Sequence, residues 1–244
     1  MRVLVLGHKG MLGHMVAEYL KYKDVKVETT DLRWPSEDFK HKLMSFTGCC
    51  IVNCIGAIPQ KTDSFDINYE LPVWLDQNSR SRIVHPGSDC EENTNEYAES
   101  KLKATEWLKK YGKKTKILKS SIIGPELTGK KSLFEWFLGQ NGKIDGYTQY
   151  YWNGNTTLTW ARHCYRLFNY WDEYEKESIL EGECISKYDL LICINEVFEA
   201  GKQITPYLAD VSNRCLTGNI KTDPIKEQIL ELKSWIDKNK CLYL

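Results

Sequence analysis

The sequence lacks a long hydrophobic run, and it lacks an excess of charge of either sign. Its 244 residues include 33 lysines and arginines and 33 aspartates and glutamates, so the formal net charge is zero. A neutral chain has no general attraction to nucleic acid or to an anionic membrane surface, and we expect neither as a partner. The apolar stretches are all far shorter than the roughly 20 residues of a membrane-spanning helix. Because Met1 leads directly into a predicted strand, no signal peptide is expected.

The nine cysteines are odd in number and form no C-x-x-C pair. Cys49, Cys50 and Cys54 lie in or beside an apolar strand pattern, where cysteine behaves as a small hydrophobic residue. The second pair of ligands that a zinc site needs is missing, so no metal site is predicted. We therefore expect reduced thiols and a cytoplasmic protein.

A glycine turn, Gly7-His-Lys-Gly10-Met-Leu-Gly13, is the first functional signal in the chain. Residues 1–6 before it are apolar and rich in branched side chains, which is typical of a buried parallel strand. Residues 11–22 after it carry apolar side chains at helical spacing. Strand, glycine turn and helix together favour a cradle for the pyrophosphate of a dinucleotide, although an ordinary glycine turn is the alternative.

Contacts to such a dinucleotide are expected at three places along the first half of the chain. The backbone of Met11 and Leu12 opens the helix, where free N–H groups meet a pyrophosphate. The next predicted strand, residues 25–30, ends at Asp31, which favours NAD by holding the hydroxyls of the adenosine ribose. Arg33 follows two residues later and favours NADP by pairing with a 2′-phosphate, so the sequence leaves the cofactor open between NADP and NAD.

The remaining residues expected to contact the cofactor follow later strands. The strand at residues 49–54 ends in small residues that allow a cofactor to approach closely. The full set predicted to bind the cofactor is Gly7, Gly10, Met11, Leu12, Gly13, Asp31, Leu32, Arg33, Cys54, Ile55, Gly56, Tyr97, Lys101 and Ser121.

Strand and helix patterns alternate up to residue 124, which predicts an α/β fold with a doubly wound parallel sheet. Helices are predicted at residues 63–78, 94–111 and 186–198, and a strand at residues 116–124. After Pro125 the composition shifts to aromatic clusters. We therefore predict a dinucleotide-binding domain at 1–124, a smaller C-terminal substrate-binding lobe at 125–220, and a C-terminal helix at 221–244 that packs back on the body.

Tyr97 and Lys101 stand four residues apart on one predicted helix, so they share one face. A nearby ammonium stabilises a phenolate, and we expect Lys101 to lower the pKa of Tyr97 into the range of general acid–base work. Ser88 follows a short strand and offers a hydroxyl to a substrate carbonyl. An aromatic residue packed on the core beside an exposed lysine is the alternative for Tyr97 and Lys101.

These motifs resemble the extended short-chain dehydrogenases/reductases that act on nucleotide sugars, and most of all their dTDP-4-dehydrorhamnose reductase group. The resemblance covers nearly the whole chain. It rests on the opening Met1-Arg-Val-Leu-Val-Leu-Gly-His-Lys-Gly-Met-Leu-Gly13, on Gly87-Ser88-Asp89 and on Tyr97-Ala-Glu-Ser-Lys-Leu102. The loop from Ser88 to Tyr97 is much shorter than is usual in that family.

The resemblance implies a Rossmann-type fold and reduction of the 4-keto group of a UDP- or dTDP-linked 4-keto-6-deoxyhexose. Tyr97 would protonate the developing alkoxide, Lys101 would hold the nicotinamide ribose, and Ser88 would orient the carbonyl. The family also implies either a monomer or a homodimer. A nucleotide-sugar epimerase or dehydratase with a recycled cofactor, or a non-catalytic cofactor-binding regulatory subunit, are the alternatives.

Cys90 stands two residues after Ser88, a spacing that in the related GDP-fucose synthases belongs to an epimerisation acid/base. The resemblance thus implies a catalytic Cys90 and 3-epimerisation before reduction, with a buried small cysteine as the alternative. A second acid/base is open among Lys130, Lys131 and His163. The residues expected to bind substrate are Ser88, Asp89, Trp136, Trp152, Asn153 and Arg214.

Overall fold

The structure, a computed structural model, describes residues 1–129 and 131–243. Its contacts divide the chain into two compact units, which we describe separately. Unit 1 contains Met1–Lys119 and Ala161–Ser178, and unit 2 contains Ser120–Trp160 and Ile179–Leu244. Residues 161–178, which the sequence places in the predicted second lobe, thus belong with unit 1.

Strands and helices alternate regularly in the first 119 residues. In chain order they are β1 (Arg2–Leu6), α1 (Met11–Tyr22), β2 (Lys26–Thr29), α2 (Glu37–Ser45), β3 (Cys50–Asn53), α3 (Ile67–Asn78), β4 (Arg82–Gly87), α4 (Glu96–Tyr111) and β5 (Thr115–Lys119). A short 3₁₀ helix, Asp89–Glu92, follows β4.

The rest of the chain has shorter strands. They and their helices are β6 (Ile122–Ile123), α5 (Leu133–Gly139), β7 (Lys143–Tyr147), β8 (Tyr150–Trp152), β9 (Asn155–Thr156), α6 (Thr157–Asn169), β10 (Glu177–Glu181), β11 (Ile185–Ser186), α7 (Lys187–Val197), β12 (Gln203–Tyr207), β13 (Ser212–Arg214), β14 (Ile220–Lys221) and α8 (Ile225–Lys238).

The main sheet has seven strands in the order β14-β10-β5-β4-β3-β1-β2. The strand pairs β1–β2, β1–β3, β3–β4, β4–β5 and β10–β14 are parallel, with Val3 opposite both Val27 and Cys50, and Ile83 opposite Thr115. The predicted α/β class and parallel sheet are therefore confirmed. Parallel strands are buried on both faces, which explains why β1, β3 and β4 are nearly continuous apolar runs.

The core of unit 1 lies between this sheet and its helices. Buried leucines, isoleucines and phenylalanines of β1, α2, β3, α3 and β4 pack together there: Leu4, Leu6, Phe39, Leu43, Phe46, Ile51, Leu71, Leu75 and Ile83. Burying each such side chain contributes about 1.5–3 kcal/mol, so this cluster is a major part of what holds the strand ends in place.

Side-chain caps explain where the helices α2, α4, α5 and α7 begin. Asn95 accepts a hydrogen bond from the Ala98 N–H (2.9 Å) and starts α4, and Ser186 accepts one from the Asp189 N–H (3.0 Å) and starts α7. The helix predicted from residue 63 starts only at Ile67, because residues 63–66 form a loop. The strand predicted at 116–124 is divided into β5 and β6.

Unit 2 contains three small sheets. β11 and β13 flank β8 in a three-stranded sheet, β12 pairs with β7, and β6 pairs with β9. Asn155 and Gln228 form a buried network in which the Gln228 side chain donates to Asn155 Oδ1 (3.0 Å) and accepts from the Thr156 N–H (3.0 Å). This network attaches α8 to β9.

Candidate active site

The glycine turn connects β1 to α1 and requires glycine at two positions. Gly7 has φ +71°, a backbone conformation that favours glycine, and its carbonyl accepts from the Gly10 N–H (2.9 Å). A Cβ added to Gly13 would lie 2.1 Å from the Gly7 carbonyl oxygen. Gly13 therefore lets α1 approach the turn, as the spacing of the glycines predicts.

The first turn of α1 has the features of an anion cradle. Gly10 precedes the helix without a side-chain cap, and the first turn contains no acidic residue. The N–H groups of Met11, Leu12 and Gly13 at the start of a helix have no partner within the helix, and the helix dipole favours negative charge there. A Cβ at Gly10 would lie 3.3 Å from the Gly7 carbonyl oxygen and would narrow the cradle. This geometry fits a dinucleotide pyrophosphate.

Asp31, two residues after β2, lies beside Lys9 and His8. Its Oδ1 lies 2.6 Å from Lys9 Nζ and 3.9 Å from His8 Nε2. The Lys9 hydrogen bond holds the pKa of the Asp31 carboxyl below its usual value. Leu32 and Arg33 are exposed beside it. Asp31 is thus ionised, and its charge is balanced by Lys9.

The loop after β3 is fixed by buried polar side chains. Asn53 Oδ1 accepts from the Ile55 N–H (3.3 Å), and Asn53 Nδ2 lies 3.3 Å from His85 Nδ1 in β4. Burial lowers the pKa of His85 to about 3 and raises the pKa of Cys54 to about 12. Both groups are neutral at physiological pH, so they shape the loop without adding charge.

Asn68 in α3 is a positioning residue that the sequence reasoning missed. Its amide accepts from the Ala57 N–H (2.8 Å) and donates to the Ala57 carbonyl (3.1 Å) and to Ser100 Oγ (3.1 Å). It therefore connects the loop containing Gly56 to α4. The available signal was an asparagine within the apolar face of a predicted helix, where a buried amide needs partners.

Ser88 caps the 3₁₀ helix directly after β4. Its Oγ accepts from the Cys90 N–H (3.3 Å) and from the Cys90 thiol (2.9 Å), and lies 3.3 Å from Asp89 Oδ1. The Ser88 N–H donates to Glu91 Oε1 (2.8 Å). The hydroxyl predicted to orient a carbonyl is thus placed at the carboxyl end of a parallel strand, where ligands of such sheets bind.

Tyr97 joins this cluster through a hydrogen bond between its hydroxyl and the Cys90 thiol. The expected lowering of the Tyr97 pKa by Lys101 is wrong. Burial first, and then Cys90, Asp89 and Glu91, raise the Tyr97 pKa well above its usual value. The phenol therefore keeps its proton at neutral pH. Phe65 packs against the Tyr97 ring with 5.6 Å between ring centroids.

Lys101 lies one turn further along α4 and is buried. A Cβ added to Gly56 would lie 3.4 Å from Lys101 Nζ, so the ammonium lies beside the loop after β3. Burial lowers the pKa of Lys101, while negative charge on Cys90, Glu91 and Cys54 would act in the opposite direction. The structure thus brings together Gly56, Ser88, Cys90, Tyr97 and Lys101, as the sequence predicts.

Glu91 and Lys119 form a buried ion pair that the sequence reasoning also missed. Glu91 Oε2 lies 3.0 Å from Lys119 Nζ, and the two side chains are 1% and 11% exposed. In the sequence, Glu91 and Glu92 are adjacent in a predicted loop, a pattern that is typical of solvent-exposed charges. The sequence therefore contained no clear signal for the ion pair.

In unit 2, the residues predicted to bind substrate have structural partners. Trp152 is buried, and its indole N–H donates to Ser121 Oγ (2.7 Å). Asn153 is buried, donates to the Leu216 carbonyl (2.7 Å) and accepts from the Leu216 N–H (2.8 Å). Trp136 in α5 is partly exposed, at 39%.

Arg214 lies at the end of β13 in a half-buried position. Its guanidinium is 5.4 Å from the centroid of the Tyr150 ring, and Lys187 Nζ is 5.0 Å from the same centroid. Two cations on one aromatic ring form a positively charged group that suits an anionic ligand.

The expectation that all cysteines are reduced is wrong. Cys184 and Cys215 form a disulfide in unit 2. The sheet brings the two cysteines close together. Their neighbours in the chain, Ile185 and Arg214, pair with the same residue of β8, Trp152, on its two sides. An irregular spacing of cysteines in the sequence does not reveal such a juxtaposition.

The three candidates for a second acid/base are Lys130, Lys131 and His163. Lys131 is exposed, and its N–H donates to Glu126 Oε2 (2.7 Å). His163 is buried in α6. Lys130 lies outside the described residues.

The described residues contain no group of three or more His, Cys, Asp or Glu side chains arranged to hold a metal ion. Across residues 1–129 and 131–243, no helix combines the length and the apolar character that crossing a membrane requires.

No protein-family profile matches the chain, and no curated protein sequence matches it. Solved structures match it over nearly its full length. A dTDP-4-dehydrorhamnose reductase from Clostridium acetobutylicum has 16% identity and a TM-score of 0.73, with 97% of this chain and 100% of that chain covered.

Two structures from Bacillus anthracis are similar to the same degree. A dTDP-4-dehydrorhamnose reductase in complex with NADP has 13% identity and a TM-score of 0.77, and the match covers 96% of this chain and 99% of that chain. A dTDP-glucose 4,6-dehydratase in complex with NAD has 13% identity and a TM-score of 0.75, with 100% and 98% covered. These similarities confirm the Rossmann-type fold that the sequence predicts.

Proposed function

We propose that this protein is an enzyme that uses NAD(P)H to reduce the 4-keto group of a UDP- or dTDP-linked 4-keto-6-deoxyhexose. The observation that carries the proposal is the hydrogen-bonded cluster of Ser88, Cys90 and Tyr97 after β4, with Lys101 one helical turn away. The similarity in fold to dTDP-4-dehydrorhamnose reductases supports the choice of substrate.

Residues of the glycine turn, Asp31, the loop from Cys54 to Gly56, and Lys101 would hold the cofactor. When bound, its nicotinamide supplies a hydride to the carbonyl carbon of the sugar. The unblocked first turn of α1 binds the pyrophosphate through backbone N–H groups. Lys101 beside Gly56 is available to bind hydroxyls of the nicotinamide ribose.

Tyr97 acts as the general acid in this proposal. Carbonyl reduction places negative charge on the sugar oxygen, and a phenol with a raised pKa is protonated at neutral pH and able to donate to it. Ser88 donates a hydrogen bond to the same oxygen by turning its hydroxyl away from Asp89. The phenol is therefore in the protonated form that reduction of a carbonyl needs.

The balanced charge of Asp31 supports use of NADP as well as NAD. An unpaired carboxylate repels a 2′-phosphate, whereas the cationic Lys9 and Arg33 beside Asp31 attract it. In Lys9→Ala, we expect kcat/KM to fall about tenfold for NADPH and to stay within about twofold for NADH, as measured by steady-state kinetics with both cofactors. An equal loss for the two cofactors would contradict this role.

Arg214, together with Lys187 on the Tyr150 ring, is the part of unit 2 proposed to bind the diphosphate of the nucleotide sugar. A guanidinium suits this role because it donates to phosphate oxygens in a bidentate manner. The choice between UDP and dTDP, the formation of a homodimer and the cytoplasmic location stay predictions.

Cys90 supports a finer proposal, 3-epimerisation before reduction. The thiol lies in the same cluster as Ser88 and Tyr97, and burial raises its pKa, so it is available to donate a proton to C3. The original C3 proton is removed by a second acid/base, for which Lys130, Lys131 and His163 are the candidates. Turnover in deuterated water would then place deuterium at C3 of the product, and Cys90→Ala would abolish that label. Label retained in Cys90→Ala would remove Cys90 from the reaction.

The proposed activity is tested by incubating the protein with NADPH and a panel of UDP- and dTDP-4-keto-6-deoxyhexoses. We expect one equivalent of NADPH to be oxidised for each sugar reduced. Tyr97→Phe should lower kcat about 10²–10⁴-fold, whereas Tyr111→Phe, on the exposed end of the same helix, should not change it.

The alternatives give different outcomes. A nucleotide-sugar epimerase or dehydratase would convert a sugar without net oxidation of NADPH. A regulatory subunit would bind cofactor and turn over none of the sugars. Either result would overturn the reductase proposal.

A further inference from the structure

We infer that the buried ion pair of Glu91 and Lys119 positions Ser88 and Cys90 for the reaction, an inference that rests on the proposed function. Neither side chain is proposed to contact the substrate. Glu91 acts on Ser88 through its backbone N–H, and Lys119 acts through the Glu91 carboxylate.

Glu91 uses both of its carboxylate oxygens. Oε1 accepts from the Ser88 N–H (2.8 Å), and Oε2 lies 3.0 Å from Lys119 Nζ. The Ser88 side chain in turn accepts from the Cys90 N–H, so Ser88 and Glu91 cap the same short helix reciprocally. The orientation of Ser88 Oγ and Cys90 Sγ is therefore coupled to where the Glu91 carboxylate is held.

Lys119 holds that carboxylate from the neighbouring strand. It is the last residue of β5 and lies opposite Gly87, the residue before Ser88. A Cβ added to Gly87 would lie 2.9 Å from Lys119 Cβ and 3.1 Å from Lys119 Cγ. Glycine at position 87 thus leaves the space through which the lysine stem reaches Glu91.

Stability alone does not explain a charge pair at this place. Because removing two charges from water is costly, a buried ion pair usually stabilises a fold no better than apolar side chains of similar size. The ion pair instead fixes the orientation of the Glu91 carboxylate. A carboxylate held by the Lys119 ammonium can accept from the Ser88 N–H in only a narrow range of orientations. An apolar pair would fill the same space without providing an acceptor.

The pair also bears on the proton donor. Tyr97 faces Cys90, Asp89 and Glu91 of the 3₁₀ helix, with Lys101 on its own helix and Phe65 against its ring. Glu91 is one of the groups whose negative charge favours the protonated phenol. Movement of the 3₁₀ helix would therefore disturb the carbonyl-orienting hydroxyl and the acid together.

The test compares the wild-type chain with Glu91→Met/Lys119→Met, which replaces the pair by apolar side chains, and with Lys119→Met and Lys119→Arg. Iodoacetamide labelling is followed in the tryptic peptide 83–101, whose only cysteine is Cys90, against buried Cys164 in peptide 163–166 as reference. Melting temperature, kcat, and KM for NADPH are measured in parallel. The matched control is Glu177→Gln, which breaks a different ion pair, the one between Glu177 of β10 and Lys109 of α4.

For the double methionine variant, we expect Cys90 labelling at least tenfold faster, kcat at least tenfold lower, KM for NADPH unchanged and a melting temperature within a few degrees of wild type. Lys119→Met should give the same labelling and kinetic changes, and Lys119→Arg should restore both to within about threefold. Glu177→Gln should change neither.

Wild-type labelling and kcat in the double methionine variant would overturn the inference, and so would equal behaviour of Lys119→Met and Lys119→Arg. The labelling result does not depend on turnover. If the wild-type protein reduces none of the sugars, faster labelling of Cys90 still supports the positioning role while the proposed function fails.

Discussion

The polar residues of unit 1 and those of unit 2 use their hydrogen bonds differently. In unit 1, Ser88 Oγ accepts from the Cys90 N–H and thiol and donates to Asp89 Oδ1 over a long 3.3 Å, and the Tyr97 hydroxyl is hydrogen-bonded to the Cys90 thiol. In unit 2, the Asn153 amide makes two short bonds to Leu216. The unit 1 hydroxyls are thus held in place by long or weak hydrogen bonds, whereas the Asn153 amide forms strong hydrogen bonds to the backbone.

This difference separates residues available for chemistry from residues that build the fold. A thiol is a weak hydrogen-bond donor, so a substrate oxygen can replace Cys90 as the partner of Ser88 or Tyr97 at little cost. Replacing a backbone partner of Asn153 would leave a buried N–H or C=O group unsatisfied. The predictions below test this contrast, beginning with the largest effect.

The largest effect is expected in the glycine turn of unit 1. Gly13→Ala places a Cβ 2.1 Å from the Gly7 carbonyl oxygen, so we expect loss of the folded protein in circular dichroism. Gly10→Ala makes only a 3.3 Å contact and should fold, but with NADPH affinity reduced about tenfold or more in fluorescence titration. Unchanged NADPH affinity in Gly10→Ala would show that this turn does not bind the pyrophosphate.

The disulfide of unit 2 should be the next largest contribution. Cys184 and Cys215 close a loop of 31 residues, and such a bond stabilises a fold by about 3–4 kcal/mol in the chain-entropy account. Reductant should therefore lower the melting temperature of the wild-type protein but leave Cys184→Ser/Cys215→Ser unchanged. An identical response of both proteins would contradict a structural disulfide.

Asn153→Ala should destabilise the protein by roughly 2–3 kcal/mol, because the Leu216 N–H and carbonyl lose their buried partner. Asn213→Ala removes an exposed amide bond to the Cys215 N–H, which water can replace, and should cost less than about 0.5 kcal/mol. Denaturant unfolding measures both. A large rise in substrate KM in Asn153→Ala without loss of stability would instead assign this residue to the substrate.

The smallest expected effect is a shift in the pH dependence of reduction. Burial lowers the pKa of Lys101, and the pKa of Tyr97 is raised, so as pH rises the ammonium loses its proton first. The basic limb of kcat/KM should lie below the pH at which an exposed lysine titrates, with about tenfold loss of kcat/KM per pH unit above that limb. In Lys101→Arg the side chain stays charged, and this limb should move to higher pH. The same limb in both proteins would exclude Lys101 as its source.

Local sequence signals were sufficient for the framework of unit 1. The apolar runs of β1, β3 and β4, the glycine spacing, and the Tyr97–Lys101 separation are all short-range features, and each predicts its place in a parallel α/β sheet. The positions of Asp31 and Ser88 follow from the same logic, because residues that end parallel strands gather at one edge of the sheet. The roles of all these residues remain predictions that the proposed experiments test.

Interactions between residues distant in sequence could not be predicted in the same way. Glu91 and Lys119 are 28 positions apart, and the Cys184–Cys215 bond spans 31. The pKa of Tyr97 illustrates the physical reason. Helical spacing predicted an ammonium as its dominant neighbour, but burial and the thiol of Cys90 decided the direction of the shift, and both depend on how separate segments pack.

The amino-acid pattern alone was thus enough for the fold class, the glycine turn and the residues gathered after β4, since periodicity and turn chemistry act over a few residues. The three-dimensional packing was needed to show which of those side chains have weak partners that a ligand can replace. The Ser88 and Tyr97 hydroxyls both bond to the Cys90 thiol, whereas the Asn153 amide bonds to the backbone of Leu216. The buried carboxylate of Glu91 accepts from the Ser88 N–H, and such partners arise only when distant strands come together.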